Sequence, residues 1–190
     1  MQWMILGMVL FFGTHSISMF ALGWRDRMVG RLGEWGWKGL YAVVALAGLV
    51  LIVHGYGEAK QMPSVLYTPP RWLRHVAFAL LVPVFPLLLA AYLPGRLQRL
   101  AKHPLLNAVK FWATAHLLVK GTVASTLLYG VFLAWASADR ISVKYRPARS
   151  PRMLPATSFN DALAVIGGLA IYVFMILAGH RLLIGVSPLP

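Results

Sequence analysis

The chain has 190 residues, of which 59% are hydrophobic and 12% are charged, whereas a soluble domain carries roughly 25% charged residues. This composition cannot supply a water-facing surface. The net charge of +13 would favour nucleic-acid binding in a soluble protein. Here the basic residues lie almost entirely between apolar runs, so we interpret them as topogenic charge and contacts with anionic membrane lipid, with no nucleic-acid partner. The absence of cysteine excludes disulfides, thiolate metal sites and covalent c-type haem attachment.

Apolar runs divide the chain into predicted membrane helices. The first run has no small-residue cleavage site and continues to His15 and the charged WRDR, so we expect a retained span and not a signal peptide. Several runs approach the ~20 residues that cross a ~30 Å hydrocarbon core. The sequence thus predicts one all-α membrane domain over residues 1–190, a polytopic bundle of about six transmembrane helices. The runs are 1–22, 39–57, 75–93, 104–118, 122–138 and 161–184.

Local signals refine these helices. Pro83 and Pro86 predict a kink inside the third helix, because proline removes a backbone donor and clashes with the preceding turn. Only three residues separate the fourth and fifth runs, which predicts a tight helical hairpin. Asn160 and Asp161 are expected to cap the start of the last helix.

The distribution of Lys and Arg predicts the orientation. Twelve basic residues lie in the gaps after the first, third and fifth runs, against five on the opposite side. The positive-inside rule therefore predicts a multi-pass protein of the bacterial inner (cytoplasmic) membrane with both termini outside. The twelve are Arg25, Arg27, Arg31, Lys38, Arg96, Arg99, Lys102, Arg140, Lys144, Arg146, Arg149 and Arg152.

Histidine is the side chain most able to carry chemistry in this sequence. The motifs of soluble enzymes are absent, and the five acidic residues lie in gaps or at helix ends. Three histidines, His75, His103 and His180, lie near helix ends and are interpreted as interfacial. The other three, His15, His54 and His116, lie within apolar runs, where an unpartnered imidazole costs on the order of 1 to 3 kcal/mol. Each therefore needs a hydrogen bond or a metal.

Helix geometry favours His15 and His116 as a pair. At ~1.5 Å per residue, His116 lies ~18 Å from the inner end of its run. His15 lies ~10 Å from the inner end of its run, or ~18 Å if the first helix continues through WRDRM. His54, at ~22 Å, competes for the outer position. Two histidines on different helices at mid-depth are the usual arrangement that holds a non-covalent b-type haem.

Neighbouring residues complete the predicted site. Trp112 and Lys120 share the helix face of His116 at i−4 and i+4, so Trp112 could pack on a planar ring and Lys120 could meet a carboxylate. Arg25 is an alternative partner for a haem propionate at the inner edge. Lys110 is expected to snorkel to the interface. The predicted cofactor-binding residues are His15, His116, His54, Trp112, Arg25 and Lys120, with His15 and His116 as the metal ligands.

The sequence resembles the NnrU family of membrane proteins. The resemblance rests on KHPLLNAVKFWATAHLL, on ASTLLYGVFLAWASADRISVKYR, and on FFGTHSISMF followed by GRLGEWGWKGLYAVVALAGLVLIVHGYG. It covers residues 7–146, with an additional C-terminal helix over 161–184. Lys120, Gly121 and Thr122 depart from the asparagine, glycine and aspartate that the family tends to have after AHLL.

The resemblance implies a bacterial membrane protein linked to nitrite and nitric oxide metabolism, that is, to denitrification. A relative, the 15-cis-ζ-carotene isomerase, uses haem b held by histidines, and the matching motifs fall on His15 and His116. Three functions stay open: a haem centre for redox chemistry, gas binding or catalysis; a haem-dependent cis-trans isomerase of a carotenoid; and a cofactor-free accessory protein. The ligand, nitric oxide or a lipophilic polyene, the oligomeric state and any enzyme activity are left open.

Overall fold

The structure, a computed structural model, describes residues 1–146 and 154–189. The predicted all-α class is confirmed, since 77% of the structure is helical and no strand occurs in these two ranges. Arg149 and Arg152, two of the predicted inner-side cations, lie outside the described residues. The helices are α1 (Gln2–Phe20), α2 (Leu22–Ala59), α3 (Leu73–Leu81), α4 (Val84–Ala90), α5 (Arg96–Ala101), α6 (Pro104–Val119), α7 (Val123–Ser142), α8 (Asn160–Phe174) and, after a π-helical turn at Met175–Gly179, α9 (His180–Ile184).

Four helical segments are long and apolar enough to cross a membrane: Gln2–Phe20, Leu22–Ala59, Leu73–Ala90 and Asn160–Ile184. These segments fit the predicted membrane protein. Helix α6, with 16 residues, and α7 do not meet the same criteria, so the count of about six spans is not confirmed. The two helices form the tight hairpin expected from the sequence, joined by Lys120, Gly121 and Thr122.

The first helix is shorter than the extended form that the histidine pairing assumed. It ends at Phe20, because Ala21 leaves helical geometry with φ −134° and ψ 45°. The WRDR residues then form the first turn of α2 instead of continuing α1. Gly33 interrupts α2 with φ 72° and ψ 167°, a conformation that residues with a Cβ rarely adopt. The basic segment after the first span is therefore helical and is separated from the apolar part of α2 by this break.

The predicted kink in the third span is present. Helix α3 ends at Leu81 and α4 begins at Val84, with Pro83 between them. Proline cannot donate a backbone hydrogen bond, and the carbonyl of Ala79 accepts from Val82 instead. Pro86 lies in the first turn of α4, where a missing donor is tolerated.

The helices pack against one another through clusters of buried apolar side chains. Helix α1 packs on α2, both touch α7, α6 packs on α7, α3 and α4, and α4 packs on α8. One end of the bundle contains the end of α1, the start of α6, all of α5 and the last turn of α7. We call it the basic end. The opposite end, at Gly121, is called the hairpin end. These contacts place α1, α6 and α7 around one common interior.

The predicted cap at the start of the last helix is wrong. The residue before α8 is Phe159, and no side chain caps this helix. The Asp161 carboxylate instead accepts hydrogen bonds from the backbone N–H groups of Arg96 (2.8 Å) and Leu97 (2.9 Å) at the start of α5. A Cβ on Gly95 would lie 2.3 Å from Asp161 Oδ1, so the glycine permits this approach. Asp161 thus ties α8 to the basic end, satisfying donors of a different helix.

An extended segment crosses the hairpin end. The carbonyl of Gly121 accepts hydrogen bonds from the N–H groups of Leu66 (2.7 Å) and Tyr67 (3.1 Å), and Val123 donates to Ser64 (2.9 Å). The Tyr67 hydroxyl donates to the carbonyls of Leu117 and Lys120. The segment 64–67 therefore covers the hairpin end. One of its contacts is with the carbonyl of Leu117, the residue that follows His116 in the chain.

Replacement of Gly121 by alanine should detach this segment. The new Cβ would lie 1.8 Å from the carbonyl oxygen of Tyr67, so the backbone must move and the two bonds to the Gly121 carbonyl are lost. We expect a loss of roughly 2 to 3 kcal/mol, within the range for overpacking. Thermal unfolding in detergent measures it against Gly130→Ala, whose Cβ would meet nothing within 4 Å. Equal melting temperatures would show that the segment does not depend on this close approach.

Candidate functional site

An aromatic cluster fills the interior between α1, α6 and α7. Phe132 lies at its centre, with its ring centroid 4.8 Å from Phe12, 5.8 Å from Phe11 and 5.3 Å from Trp112. Tilted and edge-to-face rings at these separations are favourable pairs. The cluster brings both predicted axial histidines into one part of the fold. Its members are Phe11, Phe12, Trp112, Tyr129, Phe132 and Trp135.

His15 lies on the α1 side of the cluster. Its ring stacks on Phe11 at 4.1 Å and meets Trp135 edge-on at 5.7 Å. Its Nδ1 lies 2.7 Å from the carbonyl oxygen of Phe11, one turn earlier in α1. A carbonyl only accepts, so the proton is on Nδ1 and Nε2 is left as the nitrogen with a free lone pair.

His116 lies on the α6 side in the same local geometry. Its Nδ1 lies 2.8 Å from the carbonyl oxygen of Trp112, again one turn earlier in its helix. The ring stacks on Tyr129 at 4.7 Å and lies 5.2 Å from Trp112. The predicted shared face of Trp112 and His116 is therefore present. Here too the carbonyl fixes the tautomer with Nε2 unprotonated.

Aromatic rings lie between the two histidines. Phe11 stacks on His15, Trp112 contacts His116, and Phe132 contacts both of these intermediate rings. Because α1 ends at Phe20, His15 lies only ~8 Å from the end of its helix, and the expectation of equal depth through an extended α1 is not met. The histidines thus share a cluster without facing each other directly.

A cavity of about 750 Å³ opens beside His15 at the basic end. Its volume falls within the ~300 to 1,000 Å³ typical of ligand pockets. The inner wall is apolar and aromatic and includes His15, Phe132 and Trp135. His116 is not part of the lining, so only one of the two predicted axial ligands faces this space. The cavity mouth carries Arg99, Lys102, His103, Asp139 and Arg146.

One carboxylate is buried at this mouth. Asp139 is 8% exposed and accepts a hydrogen bond of 2.7 Å from Arg146 Nη2, forming an ion pair. Burial lowers the pKa of His103 below its ordinary value, and the charge of Arg140 lowers it further. His103 is therefore neutral at pH 7, and the mouth keeps a net positive charge.

The other predicted site residues lie elsewhere. His54 is on an exposed face of α2, with Nε2 3.2 Å from the Glu58 carboxylate, so it is not brought together with His15 or His116. Arg25 forms an ion pair of 2.8 Å with Asp26 and does not line the cavity. Lys120 ends α6 in extended geometry at the hairpin end and is also absent from the lining.

Sequence reasoning missed two features of this region. Asp139 was treated as a helix-end acid, although it follows Trp135 by four residues and so shares the face that packs inward. Sequence reasoning also missed a cluster of three hydrogen-bonded hydroxyls. The hydroxyl of Ser125, which is 2% exposed, forms hydrogen bonds with those of Tyr56 (2.9 Å) and Thr122 (2.8 Å), beside Tyr129. A lone acid four residues after a tryptophan within an apolar run was the available signal for Asp139. The bond between Tyr56 and Ser125 joins α2 to α7, which are distant in the chain, so no local sequence pattern predicts it.

The fold and site define a polytopic α-helical membrane protein with two half-buried histidines in an aromatic cluster. The chain belongs to the NnrU family, since the family model described as NnrU protein matches residues 3–188. The match includes α8 and α9, beyond the segment on which the resemblance was based. No curated protein and no solved structure matches the chain.

Proposed function

We propose that the protein binds a b-type haem non-covalently, and that Nε2 of His15 and Nε2 of His116 would hold its iron. One observation carries this proposal: both histidines give their Nδ1 proton to the carbonyl one turn earlier. A ligand histidine typically holds its second nitrogen on a carbonyl or carboxylate, which fixes the ring and makes the other nitrogen a better donor. No group of three or more potential metal ligands occurs in the described residues, but an axial pair needs only two.

The surroundings of His15 suit a planar apolar group, whereas the rings between His15 and His116 would have to rearrange to admit it. The cavity beside His15 has an adequate volume and an aromatic wall. A haem that also reaches His116 must displace the Phe132 ring, which lies between Phe11 and Trp112. His15 and His116 would hold and orient the group, and the aromatic cluster would exclude water from it. When bound, haem supplies an iron centre able to exchange electrons or bind a diatomic gas.

The family resemblance gives the proposal its biological setting. We place the protein in the bacterial inner membrane, with the basic end in the cytoplasm and both termini outside, serving nitrite and nitric oxide metabolism. A carotenoid isomerase would instead need a long apolar slot for a polyene, whereas the mouth of this cavity is polar and charged. Nothing in the geometry favours that substrate over a gas.

A cofactor-free accessory protein is the second candidate, and two observations favour it. Each histidine already has a carbonyl partner, so neither needs a metal to offset its burial. The rings between them also fill the space through which a shared ligand would pass.

Absorption spectra of the oxidised and dithionite-reduced protein, purified in detergent from cells supplied with haem precursor, test the proposal. We expect a six-coordinate b-type spectrum that is lost or converted to five-coordinate in His15→Ala and in His116→Ala. His54→Ala is the matched control, because this histidine is exposed and paired with Glu58, and its spectrum should equal that of the wild type. A wild type without a Soret band would overturn haem binding and support the cofactor-free function.

A further inference from the structure

We propose that Arg99 and Lys102 bind the anionic group of an amphiphile whose apolar part occupies the cavity at the basic end. The ligand chemistry is a carboxylate or phosphate attached to an apolar body. Only the identity of the amphiphile rests on the proposed function: haem would supply its propionates, and an anionic lipid would supply its headgroup. The residues differ from Arg25 and Lys120, which the sequence suggested as partners for the propionates.

The first argument is the charge balance at the mouth. Arg99, Lys102 and Arg146 line the cavity together with a single carboxylate, Asp139. Asp139 is paired with Arg146 at 2.7 Å, which neutralises that cation. Arg99 and Lys102 form no salt bridge within the described parts of the chain. Two positive charges therefore remain beside an apolar space.

No carboxylate in the described residues lies within ion-pair distance of Arg99 or Lys102, although the charges of Asp161 and Arg99 interact at longer range. All five acidic residues of the chain are engaged elsewhere. Asp161 accepts from two backbone N–H groups at the start of α5, and Asp139 accepts from Arg146. An external anion is therefore the available partner for Arg99 and Lys102, and charge-assisted hydrogen bonds to such a group are the strong kind. The remaining three pairs are Arg25–Asp26, Lys38–Glu34 and His54–Glu58.

The second argument is the division of the cavity into two parts. Phe132, Trp135 and Leu106 belong to an apolar wall that a hydrocarbon or porphyrin surface would cover. Asp139 and Arg146 on the same lining neutralise each other, so this pair offers no unpaired cation to an anion. An anionic group is thereby confined to Arg99 and Lys102. One ligand with an apolar body and an anionic end satisfies both parts.

The test compares Arg99→Gln/Lys102→Gln, called the cavity variant, with a matched control, the double variant Arg25→Gln/Lys120→Gln. The control removes two charges outside the cavity. In protein purified with haem, transfer of haem to apomyoglobin gives the dissociation rate. We expect roughly a ten- to hundredfold faster transfer from the cavity variant and an unchanged rate from the control, since each charged hydrogen bond is worth about a factor of ten or more. Circular dichroism and size-exclusion profiles of both variants verify that they fold.

Native mass spectrometry supplies a second readout that does not depend on haem. Haem-free protein is mixed with phosphatidylglycerol or with phosphatidylcholine, and retained lipid is counted. We expect the wild type to keep phosphatidylglycerol at least tenfold better than the cavity variant does, and phosphatidylcholine binding to be the same in both.

The possible outcomes separate this inference from the proposed function. A wild type without a Soret band that still retains phosphatidylglycerol through Arg99 and Lys102 would overturn haem binding alone. Equal haem transfer and equal lipid retention in the cavity variant and the control would overturn the anionic site. A folded cavity variant that loses neither ligand would have the same meaning.

Discussion

Replacing Gly55 with alanine will force α1 away from α2 and destabilise the protein by about 3 kcal/mol. A Cβ at this position would lie 2.2 Å from the backbone nitrogen of Met4 and 2.9 Å from its Cα, and both are backbone atoms that no rotamer change can move. Overpacking of a tight interface typically costs 1 to 3 kcal/mol, and a clash with backbone lies at the upper end. Close approach through small residues is a usual source of stability between membrane helices.

Thermal unfolding in detergent, followed by loss of the monodisperse size-exclusion peak, measures this effect. Gly57→Ala is the control, because it lies two residues further along the same helix and its Cβ would meet nothing within 4 Å. That substitution should stabilise the protein by up to about 1 kcal/mol, since alanine is the better helix former. If both variants melt at the same temperature, α1 and α2 are not packed with Gly55 against Met4.

Hydropathy predicts helices well and their contacts poorly, and α1 and α2 show why. The apolar runs at 1–22 and 39–57 are visible in composition alone, because a membrane span needs a long apolar stretch. The approach of Gly55 to Met4 and of Gly48 to Phe11 depends on the register between the two helices. Register is a property of two surfaces together, and no local pattern in either run specifies it.

The candidate site shows the same difference between features that local patterns predict and features that contacts between helices decide. Burial within an apolar run identified His15 and His116, and i−4 spacing placed Trp112 beside His116. Of the two ends left open for the first helix the shorter is present, because Ala21 leaves helical geometry, and no proline or glycine at that position signals the break. Arg25 was named as an alternative propionate partner for its position in the chain, whereas Arg99 lines the cavity through the placement of α5. Apart from Asp139, for which a local signal existed, distances between helices decided the parts that sequence reasoning missed.

Replacing Asp139 with alanine should cost about 3 kcal/mol of stability. The carboxylate is paired with Arg146, and the two side chains are 11% and 21% exposed. Removing one member of a buried pair typically costs 3 to 5 kcal/mol, because the remaining charge stays desolvated without a partner. The lower end applies here, since Arg146 keeps a fifth of its side-chain surface exposed and can reach water. Thermal unfolding at low and high salt measures the change, which salt should hardly alter because the pair is buried.

The exposed pair of Arg25 and Asp26 is the control for burial. The Arg25–Asp26 separation of 2.8 Å is close to the 2.7 Å of the Asp139–Arg146 pair, but the Asp26 side chain is 51% exposed, so Asp26→Ala should cost less than about 1 kcal/mol. The double variant Asp139→Ala/Arg146→Ala should recover part of the loss, because it also removes the buried cation that Asp139→Ala leaves without its partner. A loss from Asp139→Ala no larger than that from Asp26→Ala would mean that water reaches the pair. Arg146 would then not be held by Asp139 and could share an anion with Arg99 and Lys102, so this measurement also tests the charge balance on which the cavity site depends.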